Sequence, residues 1–235
     1  INKLFEVSTR ISNAVSPWGH LFSGLRHVAA TRAHIPWHVS TGSFISTGTG
    51  AGGENLITTL SDKDLLESVN SWMEKLNAAK NVRVENPQER IVSLSAEDNG
   101  GNRINVAAMG EGISQLLPIV TTGLDAEAGD IILVQQPELH LHPALQTALA
   151  DFFVDCTKRG IQVLIETHSE HLLMGVRNSI AYGGISNDDA CVLYFDKPSS
   201  EANVKKLELK DNGHFDNWPE GFFAEGLLNA MRLST

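Results

Sequence analysis

A chain of 235 residues, 42% apolar and 20% charged with a formal net charge of −10, is long enough to bury one sizeable core with a small appended lobe. The acidic balance argues against a broad nucleic-acid surface, because phosphate contacts need local positive charge. A local patch of Lys158, Arg159 and Arg177 reads as an ordinary solvated face. No run is apolar for long enough to span a bilayer, and no basic, apolar leader is visible, so no membrane partner is expected. Cys156 and Cys191 both lie in apolar runs and read as buried thiols of a reducing, cytoplasmic compartment.

Taken in chain order, residues 1–60 begin with a stretch of mixed polarity and continue into GHLFSGLRHVAATRAHIP at 19–36. Here Arg26 and Arg32 are placed either against a phosphate or nucleic-acid backbone, or on the surface of an irregular linker. TGTGAGGEN at 47–55 is glycine-rich enough to hold an anion but lacks a lysine, and reads better as a flexible surface loop. Ser61 to Ala79 reads as a helix, with Ser61 and Asp64 suggesting its cap. Leu65, Leu66, Val69, Trp72, Met73 and Leu76 form its apolar stripe. Residues 89–106 read as a β-hairpin around Asn99-Gly100-Gly101-Asn102. Gly110-Glu111-Gly112-Ile113-Ser114-Gln115 then gives a turn and a helix N-terminus whose unpaired amides favour an anionic phosphate, with a bend at Pro118.

The densest information lies in IILVQQPELHLHP at 131–143 and IQVLIETHSEH at 161–171. Ile131–Val134 and Ile161–Ile165 are unbroken apolar runs, read as strands buried on both faces. Between them, residues 143–159 carry apolar side chains at helical spacing, with Pro143 suited to the first turn and Gly160 to the stop. A strand–helix–strand unit in one sheet is almost always parallel. Gln135, Gln136 and Glu138 are therefore expected beside Glu166, Thr167 and His168, at the carboxyl ends where open α/β sheets bind ligands. Ser169–Tyr182 reads as a helix, Ala190–Phe195 and Asn203–Leu209 as strands, and the tail from Trp218 to Met231 as a docking helix.

An apolar strand running into two polar residues, then Pro-Glu and LHLHP, then a helix and a strand ending in THSE, resembles the ATPase heads of ABC, SMC and RecF type. AAA-annotated bacterial ATPases akin to the overcoming-lysogenisation-defect proteins are the nearest likeness. MGEGISQLLPIV at 109–120 resembles their signature segment, and NGHFDNWPEGFFAE at 212–225 resembles an uncharacterised C-terminal extension of one subgroup. The resemblance implies an α/β head lobe with a mainly parallel sheet and an antiparallel hairpin. It divides into 1–60 as linker and start of the lobe, 61–182 as the ATPase lobe, and 183–235 as C-terminal strands and docking helix. The Walker A half is absent: no GxxxxGK[ST] occurs in the sequence, and the expectation is a C-terminal part of a longer ATPase, inactive alone.

By the same resemblance, Gly110, Gly112, Ser114 and Gln115 contact nucleotide held by a second protomer. Gln135 stands at the Mg²⁺ position, Gln136 and Glu138 at or beside the position that polarises the attacking water, and His168 at the switch histidine. His140 and His142 lie where related heads touch across a homodimer. ATP and Mg²⁺ are the implied cofactors, an effector protein or nucleic acid the implied partner, and DNA repair or phage defence the implied setting. Mg²⁺ prefers hard, charged oxygens, and a glutamine offers neither charge nor a general base. Hydrolysis is therefore expected to be weak or to depend on Glu138 or Glu166. Two alternatives stand beside this reading: a non-catalytic ATP-sensing adaptor, and a metallohydrolase using His140, His142, His168 and His171 with nearby carboxylates.

Overall fold

The computed structural model describes residues 24–40, 48–98, 100–196 and 203–216, so the expected C-terminal docking helix lies outside the described residues. Two compact units divide the chain: the described residues through Leu145 together with Asp155–His168, and Gln146–Val154 with the described residues from Ser169 onward.

In the first unit a parallel sheet runs in the order β1 (Leu25–Val28), β6 (Ile131–Gln135), β7 (Gln162–Glu166). Arg26, Ile132 and Val163 share one row across it, and Val28, Val134 and Ile165 the next but one. These apolar runs pair as expected, but burial alternates along β6: Ile132 and Val134 are buried while Ile131 and Leu133 are half-buried. On the more covered face Val28, Ile132 and Val134 are buried but Val163 and Ile165 of β7 are half-buried, which corrects the expectation of strands buried on both faces. Leu25 and Leu164 on the other face remain 41% and 44% exposed.

An antiparallel sheet joins β2 (Val39–Ser40), β4 (Ile91–Glu97) and β3 (Lys80–Gln88), with β5 (Arg103–Asn105) also on β4. The expected hairpin is therefore β4–β5, and its second arm stops early because Val106–Ala108 turns into a 3-10 helix capped by the Asn105 side chain. Strand β3 carries no clean alternation and contains Pro87 and a left-handed Asn81 at φ 49°, with two register shifts against β4. A sequence of that kind conceals a strand from periodicity.

Helix α1 (Leu56–Thr59) is short, and α2 (Lys63–Lys75) follows it. The cap of α2 is Asp62, which accepts from the N–H of Leu65 at 2.9 Å, rather than Ser61. An ionised carboxylate is the better acceptor for an orphan amide at the positive end of a helix. Val69, Trp72, Met73 and Leu76 are buried as the stripe requires, each contributing about 1.5–3 kcal/mol relative to exposure. Helix α3 (Glu111–Asp125) is buried without a break from Ser114 to Gly123 and runs on through Pro118.

Helix α4 (Pro143–Lys158) begins at Pro143 and stops before Gly160, which takes φ 82°, as the sequence indicates. Cys156 near its end is buried, and burial pushes its thiol up to about 11. Cys191 is exposed, so the expectation of two buried thiols holds for Cys156 alone. In the second unit, α5 (Glu170–Ala181) is capped by Ser169, and β8 (Val192–Asp196) pairs antiparallel with β9 (Asn203–Leu207). Gly175 of α5 is required by packing, because a Cβ there would lie 2.4 Å from the carbonyl oxygen of Thr147.

Candidate functional site

The polar groups converge where β6 and β7 end. Strand β6 stops because Gln136 enters the left-handed region at φ 44° and Pro137 follows. A residue with a Cβ pays about 1–2 kcal/mol for that conformation, and such strain concentrates at functional positions. Two backbone bonds hold it: the Gln136 N–H donates to the carbonyl of Glu166 at 2.7 Å, and the Gln136 carbonyl accepts from Leu139 at 3.3 Å. His140, exposed, takes a second left-handed conformation at φ 62°.

Gln135 pairs in register with Glu166, and its side-chain amide donates to the Glu166 carboxylate at 3.0 Å. Its amide oxygen accepts from Nε2 of His27 at 3.1 Å. Glu138 joins the two strand tips: its carboxylate accepts from the Thr167 hydroxyl at 2.7 Å and from the His168 N–H at 2.8 Å. The structure thus brings together Gln135, Gln136, Glu138, Glu166, Thr167 and His168, with the His168 residue exposed. His142 is the N-cap of α4, its Nδ1 accepting from Ala144 at 3.3 Å.

The glycine turn before α3 abuts the same region. Gly110 is the N-cap, and a Cβ there would meet nothing within 4 Å. A Cβ on Gly112 would come within 2.9 Å of the His140 carbonyl oxygen, so glycine is what allows the helix start to lie against the segment after β6. Ser114 is fully buried with its hydroxyl unpartnered, and Gln115 is 6% exposed. Neither side chain reaches the surface in this conformation.

Arg32 is the functional-site neighbour whose place the sequence did not disclose. It is 4% exposed, neither a surface linker residue nor free to meet a phosphate. Its Nε donates to the Gln115 amide oxygen at 2.8 Å, and its two terminal nitrogens donate to the carbonyls of Ala29, Gln135 and Gln136 at 3.0–3.1 Å. Burial lowers its pKa from the ordinary value, and the Glu138 carboxylate opposes that shift. The one available signal was an arginine set among small residues, Ala29, Ala30 and Ala33, with no carboxylate anywhere in 24–40. Arg26 is likewise taken up internally, pairing with Asp125 and, at 2.8 Å, with Asp130.

The other glycine-rich stretch is no open loop. From Gly48 onward it is tied to the Arg32 segment, Ala51 and Gly52 accepting from Ala29 and Ala33 at 2.8 and 2.7 Å, and Thr49 is buried. The Glu54 carboxylate already accepts from the Gly52 N–H at 2.8 Å, so this turn holds an anion of its own. This corrects the reading of a flexible surface loop.

The Glu166 carboxylate is the charged oxygen at these strand tips; the Gln135 amide oxygen is taken by His27 and its NH2 group by Glu166, so the amide must turn before its oxygen could meet a cation beside Glu166. Mg²⁺ takes one or two protein oxygens and otherwise keeps water or substrate phosphates. Among the described residues no group of three or more His, Cys, Asp or Glu side chains is assembled for a metal. The histidine-rich metallohydrolase reading therefore lacks a cluster, and His142 is occupied as a helix cap.

Residues 10–174 match the family model described as "AAA domain, putative AbiEii toxin, Type IV TA system". The chain belongs to this AAA-domain family. Residues 185–233 of this AAA protein match a second model, described as "Protein of unknown function (DUF3696)". No curated protein sequence matches. Among solved structures, an ATPase from work on ATP-driven dimerisation and DNA-stimulated activation of SMC ATPases aligns with a TM-score of 0.51 at 15% identity, over 75% of this chain and 96% of that one. An SMC head bound to the C-terminal winged-helix domain of ScpA aligns at 0.48 and 15% identity, over 62% and 43%. The head of a Pyrococcus furiosus SMC protein with its coiled coil aligns at 0.45 and 14%, over 72% and 36%. This chain thus spans less than half of the latter two. The first likeness establishes an SMC-like ATPase fold for the AAA protein. No helix among its described residues is long and apolar enough to cross a membrane.

Proposed function

We propose that this AAA protein binds ATP at the tips of β6 and β7 and works as a switch by pairing two heads around the nucleotide. One observation carries the reading: Gln136 is held in a left-handed conformation between two polar strand tips, where open α/β sheets place ligands. Gln135 and Glu166 would hold Mg²⁺, which when bound neutralises phosphate charge. Gln136 orients water without acting as a base, and Glu138 holds the Thr167–His168 tip that presents the histidine to the terminal phosphate. The loop and lysine that would grip the phosphates are not among these residues.

Across the pair, the amides of Gly110–Gly112 face the partner's nucleotide, with Ser114 and Gln115 supporting that turn from beneath and His140 and His142 at its border. The dimerisation and DNA stimulation described for the aligned SMC ATPase favour a homodimer whose closure an effector or nucleic acid senses; a DNA-repair or phage-defence setting is part of the same proposal. A second reading, an ATP-sensing adaptor without turnover, is favoured by one specific feature: both Gln135 and Gln136 lack a carboxylate.

Light scattering on the full-length protein tests the switch. The mass should double on addition of Mg²⁺ with ATP, and His168→Ala should bind ATP while losing turnover. A mass unchanged by ATP, with no ATP bound, contradicts both readings.

A further inference from the structure

The guanidinium of Arg32 presents a physical problem. A cation this deeply buried costs several kcal/mol in desolvation; the Glu138 carboxylate offsets part of that through space, while the hydrogen bonds go to neutral oxygens, the Gln115 amide and the carbonyls of Ala29, Gln135 and Gln136. Packing alone would be served by an apolar residue of similar volume. What only an arginine supplies is a planar, five-donor fork that fixes several acceptors in one geometry.

Those acceptors belong to three separate parts of the first unit. Gln115 lies in the first turns of α3, five residues after the exposed Gly110 turn. Gln135 and Gln136 form the strained tip of β6. Ala29 follows β1, whose register with β6 fixes the fork's own origin. Gly112 packed against the His140 carbonyl gives the helix start and the tip segment a second contact, so a shift of the turn displaces both.

We propose that Arg32 is a positioning residue that couples the glycine turn of α3 to the tip of β6, so that occupancy of the turn changes how Gln136 is held. This rests on the ATP-switch reading for its physiological trigger, while the mechanical coupling stands in the protein without nucleotide. The fork transmits because it is planar and four of its five donors are engaged. When Gln115 moves, Nε loses its acceptor, and the donors on the Gln135 and Gln136 carbonyls must turn with the guanidinium plane. The left-handed Gln136 then loses one of the bonds that stabilises it against relaxation.

Amide hydrogen exchange on the full-length protein tests this with Arg32→Lys, Gln115→Leu and Gln115→Glu. Gln115→Leu alters neither strand-tip glutamine, yet it should speed exchange at residues 136–139 tenfold or more, as Arg32→Lys does. Gln115→Glu keeps an acceptor and should leave those rates near wild type. Amides in the β3–β4 pair should stay protected in every variant, which separates loss of coupling from loss of fold. Unchanged exchange at 136–139 in Gln115→Leu, or equal acceleration throughout the β3–β4 pair, overturns the coupling. With Mg²⁺ and a non-hydrolysable ATP analogue, wild type should gain protection at both 110–115 and 136–139, and Arg32→Lys only at 110–115. Equal gains at both segments in Arg32→Lys overturn Arg32 as the link. If the analogue protects neither segment in wild type, the ATP reading fails, and the unliganded Gln115→Leu result still decides the coupling.

Discussion

Two glycine-rich turns of the first unit resemble each other in sequence and differ in what fills them. In the turn at 48–53, Gly48, Gly50 and Gly53 take φ near 80°, the Glu54 carboxylate occupies an amide, and Pro118 lies 2.8 Å from where a Gly53 Cβ would sit. In the turn at 110–112, Gly110 faces open space and only Gly112 is constrained, by the His140 carbonyl. The first turn is a closed structural joint; the second leaves helix-start amides at an exposed edge beside the strand tips. In the first turn a carboxylate takes an amide of the turn itself; in the second the carboxylate of Glu111 lies 3.4 Å from His34 Nδ1 instead.

The largest expected effect comes from forcing a side chain into the closed joint. Gly53→Ala combines a left-handed conformation with overlap on Pro118 and should cost about 2–4 kcal/mol, read as a fall in Tm. Gly110→Ala loses only cap preference and should cost less than about 1 kcal/mol. Equal losses in the two variants would erase the distinction between the turns.

Glu138→Ala should cost about 1–3 kcal/mol, since it leaves the Thr167 hydroxyl and the His168 N–H without their acceptor. Chemical denaturation measures it, and a cost near zero would show that the strand tips hold together without the carboxylate. Gln136→Gly should act in the opposite direction, stabilising by about 0.5–1 kcal/mol through relief of the left-handed strain while impairing nucleotide-dependent function. A destabilised Gln136→Gly protein would mean that the side chain, not the backbone, secures the tip.

The smallest effect is on acid stability. Burial alone would raise the Asp130 carboxyl, but the Glu127 N–H and the Arg26 guanidinium outweigh it and hold the pKa below its ordinary value of 3.8. A carboxylate lowered on folding stabilises fully above its unfolded pKa, and that contribution is lost as pH falls through the folded value. Asp130→Asn should therefore flatten the stability profile below about pH 4 and leave its slope above pH 5 unchanged. An identical acid limb in the variant would separate Asp130 from this linkage.

The strand–helix–strand unit was legible because apolar runs, Pro143 and Gly160 each point the same way, and parallel pairing then places Gln135 beside Glu166. The hairpin and the α2 stripe were legible for the same reason. Strand β3 was not, because Pro87 and a left-handed Asn81 interrupt its alternation. Arg32 was hidden for a different reason: its acceptors are main-chain carbonyls and a glutamine 83 residues away, and carbonyl acceptors leave no trace in residue type. The burial of Ser114 and Gln115 beneath the glycine turn also depends on packing that no local motif encodes.

We propose that the tips of β6 and β7 form an ATP site whose turnover is limited by a missing carboxylate. Steady-state ATP hydrolysis by the full-length protein, with Gln135 as found and with Gln135→Asp, tests it most directly. Both proteins should bind ATP, and turnover should rise tenfold or more in the variant. Strong ATP binding with no gain from the carboxylate would contradict the claim and leave a protein that acts through nucleotide occupancy alone.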